Sequence, residues 1–353
     1  MISDEGVKVV YWLGAGASFR ALPIIGEMSA AFRNQHKWVR NAAKDETPAD
    51  ALNWYFEMMH SYAGYAKAYG TIDTYARALY LRGESDELAM LKLHLAMFFM
   101  LEQGIQEKNT ISGHVVPVSY SKPESIDTRY MSWLALILQG EGRLSDRVRA
   151  ISWNYDLQVE HALGVYLGLT DLSHLHGKEK VFVYPSPHEE TDRTNPFLIH
   201  LNGIAGQSHV YDKVDCLYYG LLAVNPVKFI KELFSIYWQW VNGDTAMQHA
   251  MMNRFNFSWE KKPIAEQAVA YAKAAMSDAH ILVIIGYSFP SFNRAVDKAL
   301  FQAFNQGDGR RVVIQNPSFT PDMFRSIMGI AGGNPVIQQD DNLDQFHIPP
   351  EMF

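Results

Sequence analysis

Short apolar runs, each closing on a glycine or polar turn, recur at wide intervals along this chain. Lys8 to Leu13, Val148 to Trp153, His280 to Ile285 and Arg311 to Gln315 are rich in β-branched and aromatic residues. They lack the apolar–polar alternation of a half-exposed strand, so they predict parallel strands buried on both faces. A further strand falls near His200. Between the first two strands, residues 27 to about 145 carry apolar residues at three- and four-residue steps, as in Ala51 to Tyr62 and Asp86 to Gln103, which predicts helices. The Met/Phe stripe from Met90 to Met100 reads as core packing. A second helical block, Pro226 to Val241 and Pro263 to Ser277, precedes the strand at Ile281, and the Pro/His/Glu-rich stretch Tyr184 to Pro196 reads as a loop. The expected fold is α/β, a Rossmann-like, mostly parallel sheet with large helical insertions. Residues 1–26 and 146–353 would form its core, with a helical insertion at about 205–278, and residues 27–145 a helical module.

The strand ends carry the chemistry. They are Gly14-Ala15-Gly16-Ala17-Ser18, Asn154-Tyr155-Asp156, Gly286-Tyr287-Ser288-Phe289 and Asn316-Pro317. In an open α/β sheet ligands sit beyond the carboxyl ends of the strands, so four such turns would converge on one crevice. A Gly-x-Gly closing a strand and opening a helix lets a phosphate-bearing ligand approach backbone N–H groups, which suits a dinucleotide. The same glycines also serve tight strand-to-helix packing. Asn154 and Asp156 have two readings as well. They can bind ribose hydroxyls or hold a water against a sugar carbon, or they can cap the helix that begins near Leu157 and carries Glu160 and His161.

Composition narrows the field. With 353 residues, nearly half of them apolar, the chain can build one large domain with insertions or two domains sharing an interface. A formal net charge of −7 argues against direct nucleic-acid binding, which needs a concentrated Lys/Arg face. No apolar run reaches the length of a spanning helix, and the acidic, polar first residues lack a secretory h-region, so a cytoplasmic protein with no membrane association is expected. Cys216 is the only cysteine, which excludes an intramolecular disulfide and a multi-cysteine zinc site. Beside Val214, Leu217 and Tyr218 it reads as a small buried hydrophobe. No metal site is expected.

Taken together, the glycine turn, Asn154-Tyr155-Asp156 with Glu160 four residues on, Gly286-Tyr287-Ser288-Phe289 and Asn316-Pro317 resemble, in order and spacing, the SIR2-like family. The likeness is to the bacterial SIR2 domains of anti-phage defence. The protein-deacylating sirtuins usually carry a four-cysteine zinc module that a one-cysteine chain cannot make. The long helical insertion, and within it a segment like Thr71-Ile72-Asp73-Thr74-Tyr75, also resembles the defence group. The resemblance implies a domain that binds NAD and, in defence members, cleaves its nicotinamide–ribose bond, depleting the cofactor. It implies that Gly14, Ala15, Gly16, Ala17 and Ser18 embrace the pyrophosphate and adjoining ribose. Asn154 would position the attacking water or the nicotinamide ribose, with Asp156 alongside. The Gly286, Tyr287 and Ser288 turn and Asn316 would contact the adenosine half. A homo-oligomer or a defence-system partner protein is the partner it implies.

The chain departs from that pattern where the family carries a Lys-Leu-His-Gly-like strand end. Leu198-Ile199-His200-Leu201-Asn202-Gly203 has the expected spacing but puts Asn202 in the place of the family His, with His200 two residues earlier. Leu175-His176-Gly177 matches literally but follows Asn154 too closely. His exchanges protons near neutrality and Asn does not, so the register decides whether a general base is present. Asn293 is a second departure, an Asp being usual there. Two readings follow: an NAD-cleaving enzyme, or a catalytically impaired subunit that senses the nucleotide and acts through assembly. An ordinary oxidoreductase is disfavoured by the lack of an acidic ribose ligand about twenty residues past the glycines.

Overall fold

The computed structural model describes residues 6–43, 47–104, 126–139, 142–176, 181–186, 195–210, 213–216, 226–243 and 255–353. Its strands are β1 (Val9–Leu13), β2 (Leu138–Gln139), β3 (Arg143–Leu144), β4 (Val148–Ser152), β5 (Val183–Tyr184), β6 (Leu198–His200), β7 (Gln207–Val210), β8 (Lys213–Cys216), β9 (Ile281–Ile285), β10 (Arg311–Gln315) and β11 (Val336–Gln339). Seven of them form one sheet in the order β11-β10-β9-β1-β4-β6-β5, with every neighbouring pair parallel. β2–β3 and β7–β8 are separate antiparallel pairs. This is the expected α/β, Rossmann-like parallel sheet. β1 sits at its centre, and the chain fills the sheet first on the β4 side and then on the β9 side. The carboxyl ends around β1 are therefore the switch point, where such sheets hold ligands.

Helices α1 (Met28–Asn34), α2 (His36–Ala43), α3 (Ala49–Ala68), α4 (Ile72–Arg82), α5 (Ser85–Gly104), α6 (Thr128–Ile137), α7 (Gln158–Tyr166), α8 (Ser173–His176) and α9 (Pro226–Val241) precede β9. Helices α10 (Pro263–Asp278), α11 (Arg294–Phe304) and α12 (Pro321–Met328) complete the chain. The pleat divides the core. Val9, Tyr11 and Leu13 face a cluster shared with α1, α3–α7 and α9, whereas Val10 and Trp12 face a second cluster shared with α10, α11 and α12. The central strands are buried on both faces, which is why they read as continuous apolar runs. The Tyr184–Pro196 stretch opens with β5, and residues 187–194 lie outside the described residues. Cys216 ends β8, its side chain likewise outside them.

One expectation is corrected at the first turn. No α-helix follows the glycines: Ala15–Ser18 is a single 3-10 turn, and α1 begins only at Met28. A buried ion pair from the start of α6 intercepts the groups an α-helix would use. The Arg129 guanidinium donates to Gly16 O and Ala17 O, both at 3.0 Å, and Asp127 accepts the Arg20 N–H at 3.0 Å. Arg129 and Asp127 bind each other at 2.6 Å with side chains 2% and 0% exposed.

Candidate functional site

The ends of β1, β4, β6 and β9 open on a cleft. Its floor comes from the strand ends, through Ala15, Trp153, Asn154, Tyr155, Asp156, Asn202, Gly286, Tyr287 and Ser288. Its walls are largely apolar. Leu22, Pro23, Ile25 and Met28 approach from the segment after the glycine turn, and Ile72, Leu95 and Phe99 from α4 and α5. Phe257, Pro290 and Phe292 close the remaining side. Two carboxyl groups, Asp73 and Asp156, line the cleft, and no Lys, Arg or His does so among the described residues.

The glycines serve close approach between two loops. A Cβ on Gly14 would lie 2.5 Å from Tyr287 Cα, and one on Gly286 2.3 Å from Gly16 C. Gly14 N–H donates to Ile285 O and Gly16 N–H to Gly286 O, at 2.9 and 3.0 Å, while Ala17 N–H returns to Gly14 O. Three of the turn's N–H groups are thus engaged by backbone, and Ala15 is the turn residue that lines the cleft. Ala17 is packed in the core. Ser18 is buried as well. Its hydroxyl lies 3.2 Å from the Tyr130 hydroxyl and also bonds the Asp156 carboxyl. Gly14, Gly16, Ala17 and Ser18 therefore build the floor from beneath, without lining it.

Asn154 lines the cleft and donates from Nδ2 to Gly14 O at 2.9 Å, tying the β4 turn to the β1 turn. Asp156 lines the cleft, and its Oδ1 accepts the Gln158 N–H at 3.1 Å, bonding the first turn of α7. Burial pushes its carboxyl up to about 6, against the Gln158 and Ser18 hydrogen bonds and the nearby His200, which pull it down. Asp73 behaves alike. Burial raises it to about 6, opposed by the Tyr155 hydroxyl, which donates to Asp73 Oδ1 at 3.0 Å. Asp73 lies in the first turn of α4, which Thr71 caps by accepting the Thr74 N–H.

Asn202, rather than His200, lines the cleft at the end of β6, and its Nδ2 donates to Trp153 O at 2.9 Å. His200 is 1% exposed and packs beneath the β4 turn. It bonds Glu160 Oε1 through Nε2 at 2.9 Å and contacts Asn154 O through Nδ1 at 3.4 Å. Burial pushes its pKa down, but Glu160 and the Asn154 carbonyl overcome this and hold it above the ordinary value. The pair positions the Asn154 backbone. His176 ends α8, and its side chain lies outside the described residues.

The β9 turn is braced from behind. Tyr287 stacks on Trp153 with ring centroids 5.8 Å apart, and its hydroxyl donates to Asp297 and accepts from Asn293 Nδ2. Phe289 adopts a left-handed φ of 53°, held by contacts with Trp12, Phe319 and Phe324. Asn316 lies outside the cleft lining. Its Nδ2 donates to Tyr287 O at 2.9 Å and its Oδ1 accepts the Ser318 N–H, so it fixes the β9 turn from the next strand. The position departing from the family pattern, Asn293, lines the cleft.

No family model matches the sequence, and no curated protein matches it. Among solved structures, the chain is similar to a structure of Sir2Tm bound to a propionylated peptide. The identity is 13%, the match covers 97% of this chain and 90% of that chain, and the TM-score is 0.38. It is also similar to a structure addressing the structural basis of sirtuin substrate affinity, at 13% identity, 95% and 89% coverage and a TM-score of 0.36.

Proposed function

We propose that this is a SIR2-like NAD-binding protein that hydrolyses the nicotinamide–ribose bond. The observation that carries the reading is the convergence of Ala15, Asn154, Asp156, Asn202 and the Gly286–Ser288 turn on one cleft at the switch point of the sheet. The cleft chemistry fits the oxidised ring. Two carboxyl groups face a cationic nicotinamide, and the apolar wall excludes bulk water, strengthening electrostatic contacts inside. The pyrophosphate falls to the Ala15 backbone and the Ser288 hydroxyl. In the reaction a water oxygen bonds C1′ of the ribose as the C1′–N bond breaks. Nicotinamide leaves with the bonding pair, through an oxocarbenium-like state that nearby carboxylates stabilise. Asn154 orients the ribose and the water. A role in bacterial anti-phage defence, through NAD depletion by a cytoplasmic oligomer or with a partner protein, belongs to the same reading.

A second reading is a nucleotide-sensing subunit without turnover, favoured by the presence of Asn202 in the cleft and the absence of His200 from it. Incubation with NAD decides between them. Nicotinamide release measured in dilute and concentrated protein should be clear in the wild type and at least about 100-fold lower in Asn154→Ala. NAD binding without release in any assembly state would establish the sensor instead.

A further inference from the structure

With Asn202 unable to accept a proton and His200 held below the floor by Glu160, the proposed hydrolysis lacks an obvious base. Two carboxyl groups reach the cleft, and their surroundings differ. Asp156 is anchored on two sides, with Oδ1 accepting the Gln158 N–H and its carboxyl bonded by the Ser18 hydroxyl. Both contacts hold it in the floor as part of the turn leading into α7. Asp73 hangs from the wall on α4, and the hydrogen bond it receives from a side chain is that of Tyr155, at 3.0 Å. Tyr155 itself lines the cleft and lies between Asn154 and Asp156 in the chain, so this bond ties the Asp73 carboxyl to the β4 turn. Among the described residues, its second oxygen accepts no hydrogen bond.

We infer that Asp73 is the catalytic base: it takes a proton from the attacking water as the water oxygen bonds C1′ and nicotinamide departs with the electron pair of the broken C–N bond. The proton then passes from the Asp73 carboxyl to solvent through the cleft mouth, restoring the carboxylate. Its half-buried setting suits the task, since a carboxyl raised to about 6 is a stronger base than an exposed one yet remains largely ionised near neutrality. Tyr155 faces it through the hydrogen bond, and Asp156 is the other carboxyl group that lines the cleft. Glu260 acts on the Tyr155 hydroxyl, raising it further. The helical segment before β4, not the sheet, thus supplies the proton acceptor.

The inference rests on the proposed hydrolysis, and one experiment separates the two. Asp73→Asn keeps an acceptor for the Tyr155 hydroxyl and removes the basic oxygen. Nicotinamide release from saturating NAD should fall about 10²- to 10⁴-fold, while NAD affinity, read by calorimetry, weakens by no more than about tenfold, the loss expected of one carboxylate facing the cationic ring. Azide needs no proton removed, so it should restore release in the variant at least about tenfold, yielding the ribosyl azide. Release within threefold of wild type, or a loss that azide leaves unchanged in a variant that still binds NAD, overturns the role of Asp73 alone. A wild type that binds NAD and releases nothing overturns the hydrolase reading and this inference together. Should Asp73→Asn fail to bind NAD, Asp73→Ser is read by the same criteria.

Discussion

At the residue scale, the cleft places two carboxyl groups where charge is costly. Asp156 is the clearer case for stability, because it is 6% exposed and its carboxyl is raised from 3.8 to about 6 on folding. The folded protein then holds this proton more tightly than the unfolded chain. The associated stability is complete below about pH 4 and is lost as pH rises through about 6. Asp156→Asn retains an acceptor for the Gln158 N–H and removes the ionisation. Relative to wild type, the variant should therefore gain about 1–3 kcal/mol at pH 7.5 and little at pH 4, as measured by urea unfolding at both values. A gain equal at the two pH values would contradict the burial account. Such charge, stabilising for a cationic ligand and destabilising for the empty fold, is a common form of exchange between function and stability.

At the element scale, the three central turns behave as one piece of backbone. Gly286 has a φ of 60°, and a Cβ there would meet Gly16 C at 2.3 Å. Gly286→Ala should cost about 2 kcal/mol or more and loosen both turns together, which hydrogen exchange at the Gly14 and Gly16 amides would report as parallel loss of protection. The strands were legible in sequence because a strand buried on both faces needs an unbroken apolar run, as in β1 and β9. Their ends were legible because polar turns beyond a parallel sheet have few other uses, and Ala15, Asn154, Asp156, Asn202 and Gly286–Ser288 do meet in the cleft. Short elements such as β5 and β11 carry too few residues to show a period. The segment around Asp73 stood out by resemblance, but its contact with Tyr155, like the contacts of Arg129, was opaque for a different reason. The partners lie 82 residues away at Tyr155 and 112 or more away at Ala17 and Gly16, and no local pattern records such distances. Likewise, Gly14 and Gly16 could be identified as tight positions, but sequence alone does not show that a second loop occupies the space.

At the scale of the whole molecule, Arg129 is where distant segments cross. It grips the glycine turn, pairs with Asp127 and lies over Phe19 and Phe346, at 4.3 and 5.0 Å from their ring centroids. The segment bearing Phe346 runs back under β1, where Tyr11 donates to His347 O, and Phe346 packs on Tyr130 and Trp133. Arg129→Met would leave Asp127 buried without its counter-charge and free two turn carbonyls. It should cost about 3–5 kcal/mol in chemical unfolding, and a smaller loss would mean that water replaces the guanidinium. The same network divides the cleft into two parts with different histories open to them. Its floor is main chain pinned to main chain, where nearly every change disturbs several strands. Its wall is made of side chains, from Leu22 to Met28 on the segment leading into α1 and from Ile72 to Phe99 on α4 and α5, whose other faces pack in the core. Descendants of this fold can therefore exchange wall residues one at a time and acquire new ligands or reactions, while the floor is inherited unchanged.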